Sequence, residues 1–180
     1  MQLLHTGITV SDLDASLRFY VDVLGMSLVM RQEKAGGYLA AITGYPDAHV
    51  RMAQLELREG EHRLELFEYV APHGETTRPE PCNVGISHVC LLVDDLDDIY
   101  ARLCSDPAAS GVRFISEPTL IDTGANAGGA GLYLRDPDGI VLELFQRPKV
   151  KVAVAAPDSA AGRAGQAEGA GQARRAGRAG

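Results

Sequence analysis

Apolar residues run along the chain in two textures. The stretches Leu4 to Val10 and Ile86 to Val93 are short and rich in β-branched residues, which suits strands, and a capping pair, Ser11-Asp12 or Asp94-Asp95, follows each. Behind the first, Leu13, Leu17, Tyr20 and Leu24 recur at helical spacing and predict a helix from Asp12 to Leu24 that stops at Gly25. Behind the second, Leu96, Ile99, Tyr100 and Leu103 do the same before the break at Ser105-Asp-Pro107. Three strands are predicted after each helix: Ser27 to Gln32, His49 to Leu57 and His62 to Val70, then Val112 to Glu117, Gly131 to Arg135 and Ile140 to Gln146. Hairpins are expected at Arg58-Glu-Gly-Glu61 and Asp136-Pro-Asp-Gly139, the latter a strong turn sequence. Gly36 to Ala48 and Ile121 to Ala130 read as loops of the kind that cover sites.

The elements repeat because the residues repeat. His5-Thr-Gly-Ile-Thr-Val-Ser-Asp-Leu-Asp14 aligns without gaps to His88-Val-Cys-Leu-Leu-Val-Asp-Asp-Leu-Asp97, and Arg63-Leu-Glu-Leu-Phe67 matches Val141-Leu-Glu-Leu-Phe145. The expected fold is therefore α+β: two βαβββ modules, residues 1–70 and 85–148, joined by a proline-containing linker over 71–84 and forming a cupped, partly open mixed sheet. From about Ala155 to Gly180 the chain is almost entirely Ala, Gly, Arg, Gln and Glu, with no large apolar residue to offset its ordering entropy, and residues 151–180 read as a disordered tail.

Charge narrows the partners. The tail holds five basic and two acidic residues, so with −7 for the whole chain the first 150 residues carry −10. Such a body repels nucleic acid and anionic membranes, both of which are held mainly by Lys and Arg. No apolar run reaches the roughly 18 residues of a membrane span, and Met1 to Val10 lacks the zones of a secretory signal, so a cytoplasmic protein is expected. The three cysteines, Cys82, Cys90 and Cys104, form neither a disulfide framework nor a zinc ribbon and read as buried thiols, with Cys90 on the strand face of His88.

Strand parity then points to chemistry. Glu65 and Glu143 each stand between two leucines, so each points away from its leucines, and an ionised carboxylate among apolar residues needs a partner or solvent. Each module thus opens on a histidine and closes on a glutamate. Brought to one concave surface, His5, Glu65, His88 and Glu143 make a two-imidazole, two-carboxylate set that suits zinc, nickel, cobalt, manganese or ferrous iron and poorly suits calcium or magnesium.

On Leu4-His-Thr6, Phe19-Tyr-x-x-Val-Leu-Gly-Met26, Leu64-Glu-Leu66, Ile86-Ser-His88 and Asp136-Pro-Asp-Gly-x-x-x-Glu143, the chain resembles the vicinal oxygen chelate superfamily from Met1 to about Pro148. This superfamily includes glyoxalase I, methylmalonyl-CoA epimerase, extradiol dioxygenases and bleomycin resistance proteins. The resemblance implies paired βαβββ modules around a metal and assigns its ligands to His5, Glu65, His88 and Glu143. Because extradiol enzymes hold ferrous iron with three ligands, a fourth at Glu65 favours the glyoxalase and epimerase branch. Phe67-Glu-Tyr-Val70 departs from the Thr and Asn that follow in glyoxalase I, where the Asn helps hold glutathione, while Tyr45-Pro-Asp-Ala-His-Val50 resembles the epimerases' acid/base segment and places Asp47 at its carboxylate.

The resemblance thus implies a lyase or isomerase dependent on zinc, nickel, cobalt or manganese. It would remove a proton α to the carbonyl of a small thioester, hemithioacetal or related compound and stabilise the enolate on the metal. Glu143 would be the mobile base, with Asp47 or Glu65 serving the opposite face. A homodimer is expected. The alternatives are an Fe(II)-dependent extradiol-type dioxygenase and a metal-free protein that sequesters its ligand.

Overall fold

A computed structural model describes residues 2–57 and 62–149. The predicted Arg58–Glu61 hairpin and the tail over 151–180 lie outside the described residues. The first module builds a four-stranded sheet from β1 (His5–Thr9), β2 (Ser27–Ala35), β3 (His49–Glu56) and β4 (Arg63–Ala71), in the order β1-β4-β3-β2. The second builds a sheet from β5 (Val89–Val93), β6 (Arg113–Phe114), β8 (Ala130–Arg135) and β9 (Val141–Gln146), in the order β5-β9-β8-β6, with the short β7 (Thr119–Leu120) also paired to β8. In both, the opening strand runs parallel to the closing one and the remaining partners are antiparallel. The glutamate-bearing strands β4 and β9 are therefore internal, and β1 and β5 are edges.

Each opening strand feeds a helix across an aspartate cap. Asp12 accepts from the Ala15 N–H at 2.9 Å to start α1 (Leu13–Leu17), and Asp95 accepts from the Asp98 N–H at 3.0 Å to start α3 (Leu96–Ser105). The first helix is not α-helical to its end: Arg18–Val23 is a π-helical stretch, closed by the Leu24 N–H to the Phe19 carbonyl at 3.0 Å, and Gly25 ends it at φ 78°.

Alternation sorts the faces. Ile8, Ala53, Leu55, Leu64 and Leu66 of the first sheet and Leu91, Leu132, Leu134, Leu142 and Leu144 of the second are buried in one cluster with Leu13, Tyr20, Leu96 and Leu103 of the helices. Both modules share this core. The Tyr20 hydroxyl donates to Asp136 at 3.0 Å, the Ser11 N–H donates to Asp138 at 3.0 Å, and Arg102 donates to the Val23 carbonyl at 3.0 Å, so each module is also tied to the other by hydrogen bonds.

Several expectations are corrected. Gly36 to Ala48 is not simply a loop but holds α2 (Gly37–Thr43), closed by Gly44 in the left-handed region; at seven residues it is too short for periodicity to reveal, and it buries none of them. Val112 to Glu117 pairs only over β6, whereas β2 runs three residues beyond Gln32. The second opening strand begins at Val89 rather than Ile86, because Val89 pairs with Leu142 and β9 starts only one residue earlier; His88 therefore stands just before the strand. All three cysteines are exposed, since Cys90 lies on the face away from the core and the other two on outer segments.

Candidate metal and catalytic site

The register places one His–Glu pair on each sheet, built in the same way. Gly7 is the partner of Glu65 in the parallel β1–β4 ladder, and Cys90 is the partner of Glu143 in the β5–β9 ladder. His5 and His88 each precede that position by two residues, so each imidazole sits diagonally across from its glutamate on the same face. His5 Nε2 lies 3.5 Å from Glu65 Oε2, and His88 Nε2 lies 3.2 Å from Glu143 Oε2. Both histidine side chains are 42% exposed, so the far side of each ring is open.

Those separations suit a metal. Two ligands about 2.1 Å from one ion stand roughly 3.0 Å apart at a right angle and roughly 3.4 Å apart at the tetrahedral angle. Neutral imidazole with carboxylate is also the donor chemistry of borderline divalent ions. Each pair fits half a coordination sphere.

The chain does not bring the two halves together. Among the described residues no three His, Cys, Asp or Glu side chains gather into a metal-binding group. The cause lies in the packing: both sheets turn their leucine faces to the shared core, so the two His–Glu faces look away from it. Asp47 is exposed in the turn before β3, seven residues from Gln54, the antiparallel partner of Glu65. The five strand steps from Gln54 back to His49 alone span roughly 17 Å at about 3.3 Å each, so Asp47 stands far along the sheet from Glu65.

Neighbours that sequence reading passed over complete each half. Gln54 donates from Nε2 to Glu65 Oε1 at 2.5 Å, and Arg63 donates from Nη1 to Gln54 Oε1 at 2.8 Å. In the second module Tyr133 holds the place of Gln54 opposite Glu143, with its ring centroid 5.2 Å from that of His88. Burial first, then the charge of Glu143, pushes the Tyr133 phenol up, so it remains a proton donor at neutral pH. Cys90 is exposed as a residue but its thiol is partly shielded from water, and that shielding first and Glu143 next push it up to about 11, so it stays protonated. The available signal was a polar side chain between two apolar ones, Gln54 between Ala53 and Leu55 and Tyr133 between Leu132 and Leu134, but only the strand register ties either to a glutamate.

Two other titratable residues nearby, Glu68 and His62, have structural partners. Glu68 accepts from the Leu13 N–H at 2.9 Å and pairs with Arg51 at 2.8 Å on the helix side of the sheet. His62 contacts the Thr6 hydroxyl at 3.0 Å; it borders a groove of about 630 Å³ that His88 and Cys90 also line.

Residues 2–144 match the family model of the glyoxalase/bleomycin resistance protein/dioxygenase superfamily. A 2-epi-5-epi-valiolone epimerase from an Actinomyces species is 33% identical over 80% of this chain and 78% of its own length. A lactoylglutathione lyase from Haemophilus influenzae is 32% identical over 84% of this chain and 96% of its own. The crystal structure of a glyoxalase family protein from Bacillus cereus superposes with a TM-score of 0.68 at 24% identity, over 83% of this chain and 97% of that one, a likeness of fold. The chain belongs to the glyoxalase/bleomycin resistance protein/dioxygenase superfamily.

Proposed function

We propose that the protein is a divalent-metal-dependent lyase or isomerase of a small carbonyl compound, with each metal held by His5 and Glu65 of one copy and His88 and Glu143 of a second. The observation that carries this reading is the pair of His–Glu contacts at 3.5 and 3.2 Å, one per module, at the spacing of adjacent ligands of one ion. Because the two faces look away from the shared core, two pairs meet only across an interface between copies. His5 lies on the edge strand β1 and His88 just before the edge strand β5, so both pairs stand at sheet edges open to such an approach. Relatives named as a lyase and an epimerase support proton-transfer chemistry.

The ion, when bound, supplies a Lewis acid for the negative charge that develops on the carbonyl oxygen. The remaining work belongs to the side chains. Glu143, with its side chain 23% exposed against 9% for Glu65, is the carboxylate with room to take the α proton and return it. Return by Glu143 to the adjacent carbon isomerises the compound, whereas inversion of the same carbon requires a second acid on the opposite face. Tyr133, protonated and beside His88, is placed to donate a hydrogen bond to a substrate oxygen. Asp47 belongs to this machinery only if it reaches a pair on another copy.

Metal analysis of protein purified without added metal, followed by deuterium exchange from solvent into thioester, hemithioacetal and cyclic ketone candidates, tests the reading. Bound zinc, nickel, cobalt or manganese and exchange that falls about 10²- to 10⁴-fold in Glu143→Gln are expected. Protein without divalent metal whose metal content is unaffected by His88→Ala would falsify it, and iron with catechol-dependent oxygen uptake would replace it with ring cleavage.

A further inference from the structure

The two half-sites are built on the same register yet surrounded differently. Across the first module the row is Gly7, Glu65, Gln54; across the second it is Cys90, Glu143, Tyr133. Where Glu65 meets an amide backed by a guanidinium, Glu143 meets a phenol ring and a thiol, which is a weak donor.

We infer that Gln54, oriented by Arg63, is a positioning residue that locks Glu65 as the permanent anchor of the metal and so leaves proton transfer to Glu143. This inference rests on the metal reading above. The orientation of the amide follows from donor chemistry: a guanidinium only donates, so Gln54 turns its carbonyl oxygen to Arg63 and its NH₂ to Glu65. The bond at 2.5 Å occupies Glu65 Oε1 and leaves Oε2, on the His5 side, as the oxygen that would hold the ion. The Arg63 charge polarises the amide and strengthens its donation. Glu65 is only 7% exposed, so a lost Gln54 donor has little water to replace it. Among the described residues Glu143 has no amide or guanidinium hydrogen-bond partner, and it swings at lower cost.

The test is cobalt affinity, measured by chelator competition on the purified protein, together with the visible spectrum of the cobalt-loaded form and circular dichroism as the check of folding. Gln54→Leu, nearly equal in volume but without a donor, is expected to raise the cobalt Kd about 10- to 100-fold and to alter the cobalt bands, since partners behind a ligand carry effects of that size. Arg63→Met is expected to shift both in the same direction by less, with Arg63→Lys recovering part of the loss. Wild-type affinity and an unchanged spectrum in folded Gln54→Leu would overturn the inference. If Gln54→Leu does not fold, Arg63→Met decides: weakened cobalt supports the relay, and unchanged cobalt overturns it. Wild-type protein that takes up no cobalt would instead sink the metal reading itself, a result distinct from variants that bind as wild type does.

Discussion

Asp136 carries more structure than a turn residue normally does. It is 1% exposed, accepts from the Ile140 N–H at 2.7 Å and the Tyr20 hydroxyl at 3.0 Å, and thereby closes the β8–β9 hairpin while holding the first module's helix. Asp136→Ala leaves two buried donors unpaired and is expected to cost about 2–4 kcal/mol in denaturant unfolding. Burial pushes its carboxyl above the usual range although both hydrogen bonds pull it down. The sign matters: a raised carboxyl contributes most below its unfolded value and loses that contribution as pH rises through its folded value. At this scale the sequence was informative about side-chain direction, since parity put Glu65 and Glu143 opposite their leucines. It was silent on Gln54 and Tyr133, whose roles depend on strands paired across 11 and 10 residues of chain.

Helix α1 and the π-helical turn that continues it are docked on the sheet by charge as well as by Leu13 and Tyr20. Arg51 reaches Asp14 at 2.7 Å and Glu68 at 2.8 Å, Arg31 reaches Asp14 at 2.8 Å, and Glu68 accepts from the helix's first N–H. The hydrogen bond from Arg51 is the main reason that the Asp14 carboxyl lies below its usual range, with Arg31 adding to it against burial. A depressed carboxyl stabilises above its unfolded value, about 3.9, and that contribution is lost as pH falls through the folded value. Asp14→Asn is therefore expected to lower stability at neutral pH and to flatten the acid limb below about pH 4, read from thermal melts across pH. Elements with caps and periodicity were legible in the sequence. The seven-residue α2 and the two-residue β6 and β7 were not, because so few residues carry no period and their existence depends on neighbours.

For the whole molecule, the decisive feature is that α1, α3 and both leucine faces share one core, which turns the His–Glu pairs outward. If each metal site takes one pair from each of two copies, a chain with His5→Ala and Glu65→Ala and a chain with His88→Ala and Glu143→Ala each lack a complete site. A mixed dimer of the two regains one complete site and one lacking all four ligands. Co-refolding the two variants is expected to restore metal binding to about a quarter of wild type, because half the dimers are mixed and each of those carries one of two sites. Equal and undiminished metal binding by either variant alone would show that the copies do not share ligands. No helix among the described residues is long and apolar enough to cross a membrane.

The amino-acid sequence by itself determined the duplicated βαβββ order and the association of one histidine with one glutamate in each module. Both follow from local rules, in which alternation assigns the face of a strand and a repeated motif assigns equivalent places. Tertiary structure alone decided that the two pairs stand apart, that Gln54 and Arg63 brace one glutamate while Tyr133 and Cys90 flank the other, and that His88 falls just before its strand. Those outcomes depend on which sheet faces meet in the core and where each ladder begins, and the free energy of both is set by residues far apart in the chain.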